Sequence, residues 1–317
     1  MTVSTQTSCR LCTATGPHRV FVAYEMMYGS REAFEYFECS QCGSVQILVA
    51  LASEELAKHY PADYYSFLAP SGSSLKTYLQ TERDKALLHR PTLLGPLVAG
   101  AKPDPLLAMI GELPLTINSA ILDVGCGSGA LLDRLGAAGF RNLHGADAFI
   151  DDDITTPHGA QIARASLHEV SGTFELIMFH HSLEHVPAPR ETLAAARSKL
   201  SPGGYCIVRV PTVSSWAWQE YGIDWFQLDA PRHITLPSRA GMRIAGEAAS
   251  FELVRTIDDS IPQQFEISEN YRAGIAMRGD ARAPAPSPEQ VQTFARKTAE
   301  ANASGMGDQA AFIFQAI

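Results

Sequence analysis

Four of the six cysteines fall into two pairs, Cys9-Arg10-Leu11-Cys12 and Cys39-Ser40-Gln41-Cys42, with Gly43 directly behind the second. A C-x-x-C bend turns two thiolates to one side, and two such bends complete a tetrahedral four-sulfur site for zinc. Gly43 lets the backbone turn beneath the ion without a steric penalty. Four thiolates leave no open coordination position, so an ion held there is structural. A redox role needs one pair and a helix start behind it, and neither pair has one. Cys126 and Cys206 stand apart and read as small buried hydrophobes.

The second constellation is Ala120-Ile-Leu-Asp123-Val-Gly125-Cys126-Gly127-Ser-Gly129-Ala-Leu-Leu132. A buried strand runs into a glycine-rich turn and a helix opens behind it, so the backbone at Gly125, Gly127 and Gly129 can approach a ligand closely. The glycines alone also satisfy a loose dinucleotide fingerprint. Asp123 decides between the two. A carboxylate in this place repels a pyrophosphate but suits a ligand with ammonium and sulfonium charges, which is S-adenosylmethionine. Leu143 to Asp147 reads as the next strand, and its terminal acid is positioned to accept hydrogen bonds from ribose hydroxyls.

A third group follows the strand Phe174 to Phe179, in His180-His181-Ser-Leu-Glu184-His185-Val-Pro187. His181 to His185 spells the inverted zinc-protease motif, but Pro187 and Pro189 forbid the long helix that such a protease needs. Whether Glu184 and His185 hold a divalent cation, or fix the loop by hydrogen bonds, the sequence leaves open. All three tryptophans, Trp216, Trp218 and Trp225, lie in one short excursion together with Tyr221, and Arg232 and His233 close it. Clustered aromatics with interleaved polar groups suit a sugar-like acceptor. Trp216, Tyr221, Trp225, Arg232, Glu184 and His185 are therefore the expected acceptor contacts. Chemistry at an acceptor hydroxyl is helped by a base of near-neutral pKa. His233 is the first candidate for that base and His181 the second.

Taken together, ILDVGCGSGALL, GAD, FELIMFHHSLEHV and the later LSPGGYCIVRVP resemble a class I S-adenosylmethionine-dependent methyltransferase over residues 119 to about 257. The ribbon, with YPADYYSF behind it, resembles the zinc-ribbon branch met in saccharide and small-molecule biosynthesis. The resemblance implies a cofactor site of Asp123, Gly125, Cys126, Gly127, Gly129, Asp147 and His180. It also implies an α/β Rossmann-like seven-stranded sheet closed by an antiparallel seventh strand beside the sixth.

The elements that must carry these residues follow from pattern. Residues 1–55 read as the zinc ribbon, with strand-like sequence between the cysteine pairs, and 56–118 as a linker and helical cover. Residues 119–317 read as the cofactor-binding domain, in which 259–308 is a helical insertion before the last strand, Ala310 to Ile317. Helices are expected over Leu75 to Arg90, Asp104 to Glu112 and Ala240 to Ala249, and from Ser287-Pro288 onward. The stretch Asp151 to His158 reads as a solvated acidic turn where a helix would be usual.

Composition sets the outer limits. The chain has 317 residues with 46% hydrophobic and 19% charged, enough apolar mass for a substantial core. No apolar run approaches the ~20 residues of a membrane span, and no signal peptide is visible, so a cytoplasmic protein is expected. A net charge of −9 disfavours a nucleic-acid partner and favours a small-molecule acceptor over RNA methylation with the ribbon as clamp. Carbon or nitrogen methylation of a small molecule stays open at this point, as does a binding module that has lost transfer.

Overall fold

The computed structural model describes residues 4–5, 7–60, 74–278 and 283–317. Most of the YPADYYSF segment, nearly all of the Ala69 to Ser74 linker and the start of the Ala281 turn lie outside the described residues. Strands in chain order are β1 (Ser4–Thr5), β2 (His18–Tyr24), β3 (Ala33–Glu38), β4 (Val45–Ile47), β5 (Ile121–Val124), β6 (Leu143–Ala146) and β7 (Ile154–Thr155). They continue as β8 (Gln161–Ala163), β9 (Phe174–His180), β10 (Leu200–Pro211), β11 (Thr235–Leu236), β12 (Phe251–Asp258) and β13 (Gln309–Ala316). One sheet has the order β1-β2-β3-β4-β11 and the other β12-β13-β10-β9-β5-β6-β8-β7. The fold is a Rossmann-like α/β architecture with a cysteine-rich β module.

The chain divides into two compact units that do not follow sequence order. One comprises Met1–Pro61, His181–Ala194 and Val208–Phe314, the other Ala62–His180, Ala195–Ile207 and Gln315–Ile317.

In the second of these, β5 runs parallel to β6 with Asp123 opposite Gly145, and parallel to β9 with Asp123 opposite Met178. The strands are apolar on both faces, as a covered parallel sheet requires. Their carboxyl ends therefore share one edge, where open α/β sheets bind ligands. The helix Ala130–Ala137 opens directly behind Gly129. The acidic stretch differs from expectation. Instead of a free turn it contains β7, paired antiparallel with β8 through Ile154 and Ile162. Asp133 accepts from the His158 backbone N–H at 2.9 Å and fastens the return. Helices Ser74–Leu87 and Pro105–Gly111 appear close to the expected ranges, the latter capped by Asp104.

In the other unit the ribbon sheet is not closed on itself. β4 takes β11 as an antiparallel neighbour, Gln46 opposite Thr235. The shared core contains Tyr36, Val45 and Ile47 of the ribbon, Trp225, Leu228 and Ile234 of the excursion, and Phe265 and Phe294 of the insertion. A module of ~50 residues buries little apolar surface alone, and this borrowed core supplies the rest. The insertion forms helices Gln263–Arg272 and Pro288–Ala303, the second with the Ser287/Gln290 capping box that its sequence announces. β12 and β13 are neighbours, as expected for the chain's last strand.

Candidate functional site

The ribbon cysteines converge. Their four sulfurs lie within 4.8 Å of one another. Cys9 and Cys42 Sγ are 3.7 Å apart, and Cys12 and Cys39 Sγ 3.5 Å. A zinc–sulfur bond of about 2.3 Å puts tetrahedral sulfurs about 3.8 Å from each other, so the cage has the size of a zinc site. Both knuckles close in the same way: Thr13 N–H donates to Cys9 O, and Gly43 N–H to Cys39 O. The residue behind each pair is left-handed, Gly43 at φ 74° and Thr13 at φ 63°. Gln46 Nε2 donates to Cys9 Sγ at 2.9 Å, the kind of outer contact that holds a thiolate in place.

At the carboxyl end of β5 the glycine turn is left-handed at Gly125, Gly127 and Gly129. Asp123 is buried, and its Oδ1 has no hydrogen-bond partner. Burial, and then the neighbouring charge of Asp147, push its carboxyl up to about 8. A buried acceptor left open at the turn fits the ammonium of an amino-acid cofactor. Asp147 lies at the end of β6, where both its oxygens accept backbone N–H groups: Gly127 at 2.8 Å and Phe149 at 2.9 Å. It therefore sets the shape of the turn, and any ribose contact uses the remaining lone pairs. Cys126 is half-buried, its thiol pushed up by burial. The space for its sulfur exists because residue 145 is glycine: a Cβ there would come 2.5 Å from Cys126 Sγ. His180 ends β9, half-buried.

The other unit brings together histidines that are far apart in sequence. A 3₁₀ turn, Leu183–His185, carries Glu184 and His185, and the loop before β11 carries His233. The His185 and His233 rings stand edge to face with centroids 4.8 Å apart, and ligand atoms of Glu184, His185 and His233 all lie within 4.8 Å of one another. His185 Nδ1 is 2.9 Å from Arg232 O and 3.0 Å from the Tyr60 hydroxyl. His233 Nδ1 is 2.7 Å from Gln227 O. Carbonyl oxygens only accept, so both rings carry their proton on Nδ1 and keep a lone pair on Nε2. Glu184 is 1% exposed, and neither of its oxygens has a hydrogen-bond partner. Burial raises its carboxyl, but the proton that His181 brings toward it on Nδ1 outweighs this and holds it at about 2. The nearest contact is His181 Nδ1, 3.3 Å from Oε1. Arg209 lies 2.7 Å from His181 Nε2 and pairs with Asp259 at 2.6 Å. His181 thus has both ring nitrogens engaged, and its position is that of a support for Glu184 rather than of a base.

Three expected acceptor contacts are corrected by the structure. Trp225 is fully buried in the core and donates its indole N–H to Asp308 at 3.0 Å. Tyr221 is buried, with its hydroxyl on Glu269. Arg232 is fully buried, held by Asp229 at 2.6 Å and Glu25 at 2.9 Å, and has no face for an anionic acceptor. The aromatic excursion is the joint of the ribbon, the insertion and the loop, which explains why so many large rings occur together. Trp216 keeps a half-buried position. Glu25 and Tyr36 carry no local sequence signal. Tyr36 donates to His233 O at 2.8 Å, so the ribbon holds the backbone of this histidine directly.

A methyltransferase domain family model matches residues 62–256. The ubiquinone biosynthesis O-methyltransferase of Burkholderia multivorans is 31% identical over 113 residues, 31% of this chain and 47% of that protein. Its counterpart in Psychrobacter cryohalolentis is 29% identical over 102 residues, 28% and 39% of the two chains. This chain therefore spans less than half the length of these relatives. Among solved structures, a mycolic acid cyclopropane synthase complexed with SAH and CTAB is 17% identical with a TM-score of 0.45, covering 69% of this chain and 85% of that one.

Proposed function

Because the chain belongs to the methyltransferase domain family over residues 62–256, we propose that it transfers a methyl group from S-adenosylmethionine to a hydroxyl of a small polar acceptor. The cofactor, when bound, supplies the methyl on a sulfonium that leaves as a neutral thioether. The observation that carries the reading is Asp123, a buried carboxylate with an open oxygen at the end of β5, beside a turn with three left-handed glycines. Asp123 holds the cofactor's ammonium, Asp147 and Gly127 keep the turn open, and the missing side chains at Gly125 and Gly129 admit the ligand against the backbone.

Oxygen as the methylated atom is supported by the two relatives, both named as O-methyltransferases. It is further supported by the His185–His233 pair, whose Nε2 lone pairs suit the removal of a hydroxyl proton. With Trp225, Tyr221 and Arg232 buried, a stacking platform for a sugar loses most of its residues, so the acceptor class is a hydroxyl-bearing small molecule, sugars included. The cysteine cage holds zinc in a structural role, the role its size supports.

Two measurements test this. Calorimetry with S-adenosylhomocysteine is expected to show binding that Asp123→Ala and Gly125→Asp each remove. Incubation with labelled S-adenosylmethionine and a protein-free small-molecule extract is expected to move label into an alkali-stable methyl ether. No binding, label found only in an RNA fraction, or label on nitrogen or carbon would overturn the assignment.

A further inference from the structure

We propose that the sheet face beneath the β8–β9 crossover is a second small-molecule site, apart from the glycine turn, and that its ligand is a small organic cation: an ammonium group on a compact apolar body. The space exists because a helix is missing. In the order β9-β5-β6-β8 these strands are parallel, so the chain that joins β8 to β9 must pass over β6 and β5 on one face. Such crossovers are usually helices, and a helix ~10 Å across fills the face it covers. Here residues 164–173 form turns and no helix. Beneath them lies a cavity of about 340 Å³, roofed in part by Glu169 and Val170. That volume is within the range of small-molecule pockets.

The floor follows from strand register. Leu122 stands opposite His144, and His144 opposite Gln161, so the three side chains share a face. The helix behind the glycine turn packs on the other face, where a Cβ on Gly145 would meet Cys126 and Leu132. The cavity and that helix are therefore on opposite sides of the sheet.

The lining selects the ligand's charge. Asp153 and Glu169 border the cavity, and no lysine or arginine does. Each acid is fixed through one oxygen: Asp153 Oδ1 accepts from Arg164 N–H at 2.7 Å, and Glu169 Oε2 from Ser166 N–H at 2.8 Å and Oγ–H at 2.7 Å. The second oxygen of each is left for a ligand. The Ser166 backbone N–H, and then its hydroxyl, hold the Glu169 carboxyl below the usual range, so it is ionised at neutral pH. Asp153, Glu169 and His144 do not converge as the ligands of one metal ion do, so the matching charge belongs on a molecule.

Deeper in, the surface turns apolar. Leu122 is fully buried, and His144 and Val170 are half-buried. His144 Nε2 lies 2.7 Å from Asn142 Oδ1; with its proton donated there, Nδ1 presents a lone pair. Burial lowers the pKa of this ring and keeps it neutral. An ammonium at the mouth meets the two carboxylates, and its hydrocarbon part covers Leu122 and Val170. An anion finds no counter-charge, and a neutral molecule leaves the carboxylates unused.

The test uses the full chain without cofactor and ligand-observed nuclear magnetic resonance. Its probes are 2-phenylethylamine, cyclohexylmethylamine and isoamylamine, with 3-phenylpropionate and 2-phenylethanol as the anionic and neutral counterparts. At least one amine is expected to bind with a Kd of ~1 mM or tighter, and both counterparts at least ~10-fold more weakly. The double variant Asp153→Asn/Glu169→Gln keeps the oxygens that accept from the backbone and removes both charges. It should weaken the amine about 5-fold, the scale of two exposed charge contacts. On the unmodified chain the amine should also move the His144 Cε1–H signal, assigned with His144→Gln. That signal decides should the double variant fail to fold. No binding by any of the three amines, equal binding of either counterpart, full affinity in a folded double variant, or an unmoved His144 signal would each overturn the site. No methyl donor is present, so the outcome is independent of methyl transfer.

Discussion

Asp123 makes the cofactor site sensitive to pH in a direction that the structure fixes. In the cofactor-free protein, burial and then Asp147 lift its carboxyl to about 8, against ~3.9 for an exposed aspartate. The native state therefore holds a proton that the unfolded chain releases between these values. Stability contributed by that proton is complete at low pH and is lost as pH rises toward 8, by about 1.4 kcal/mol per unit at most. An ammonium group placed against the ionised carboxylate has the opposite preference, so binding below pH 8 must expel the proton. Affinity for S-adenosylhomocysteine should rise about tenfold per pH unit well below 8, or about 50-fold from pH 6 to 8, and turn over where the ligand's own ammonium titrates. Calorimetry in buffers of different ionisation enthalpy reads the expelled proton directly and should approach one per site near pH 6. Asp123→Asn should bind weakly, with no such rise, while its cofactor-free form loses less stability between pH 5 and 8. A flat affinity over pH 6 to 8 in the unmodified protein, or an unchanged rise in the variant, would refute the role given to this carboxylate.

Other consequences are purely structural. Arg232→Ala should destabilise the protein by about 3–5 kcal/mol in urea unfolding, because Asp229 and Glu25 are left buried without a counter-charge. A loss below 1 kcal/mol would mean that these acids find other partners. Gly145→Ala should cost about 1–3 kcal/mol and weaken S-adenosylhomocysteine binding, since its Cβ would meet Cys126 Sγ at 2.5 Å and Ile162 Cδ1 at 2.6 Å. Adding Cys126→Ala should restore part of both, and no recovery would separate the glycine from the turn.

What is legible in the sequence is what is local. The cysteine pairs, the strand–turn–helix around Gly125, the Ser287 helix start and the last strand are each written in fewer than twenty consecutive residues, and each stands in the structure near its expected place. Segments whose neighbours lie elsewhere in the chain depart from expectation. The acidic stretch at Asp151 departs although its partner is local, because Ile154 pairs with Ile162. Trp225 is core because Asp308, in the turn before the last strand, accepts its indole N–H.

These long-range contacts also change what the ribbon is. As a bare four-cysteine module it would be an appendage, and zinc loss would concern residues 1–55 alone. In the structure, Ser44 Oγ, two residues past the ligand Cys42, accepts from Ser238 N–H at 2.9 Å, β4 pairs with β11, and Tyr36 binds His233 O. The loop that carries His233 is therefore pinned at both ends by groups whose own positions depend on the cysteine cage. A sequence search for a catalytic histidine could find His233 but not its partners, since Arg232 pairs with Glu25 across 207 residues and His185 meets Arg232 O across 47. The cysteine cage and the histidine cluster belong to one packed unit, so the order of the cluster depends on the ribbon at its edge.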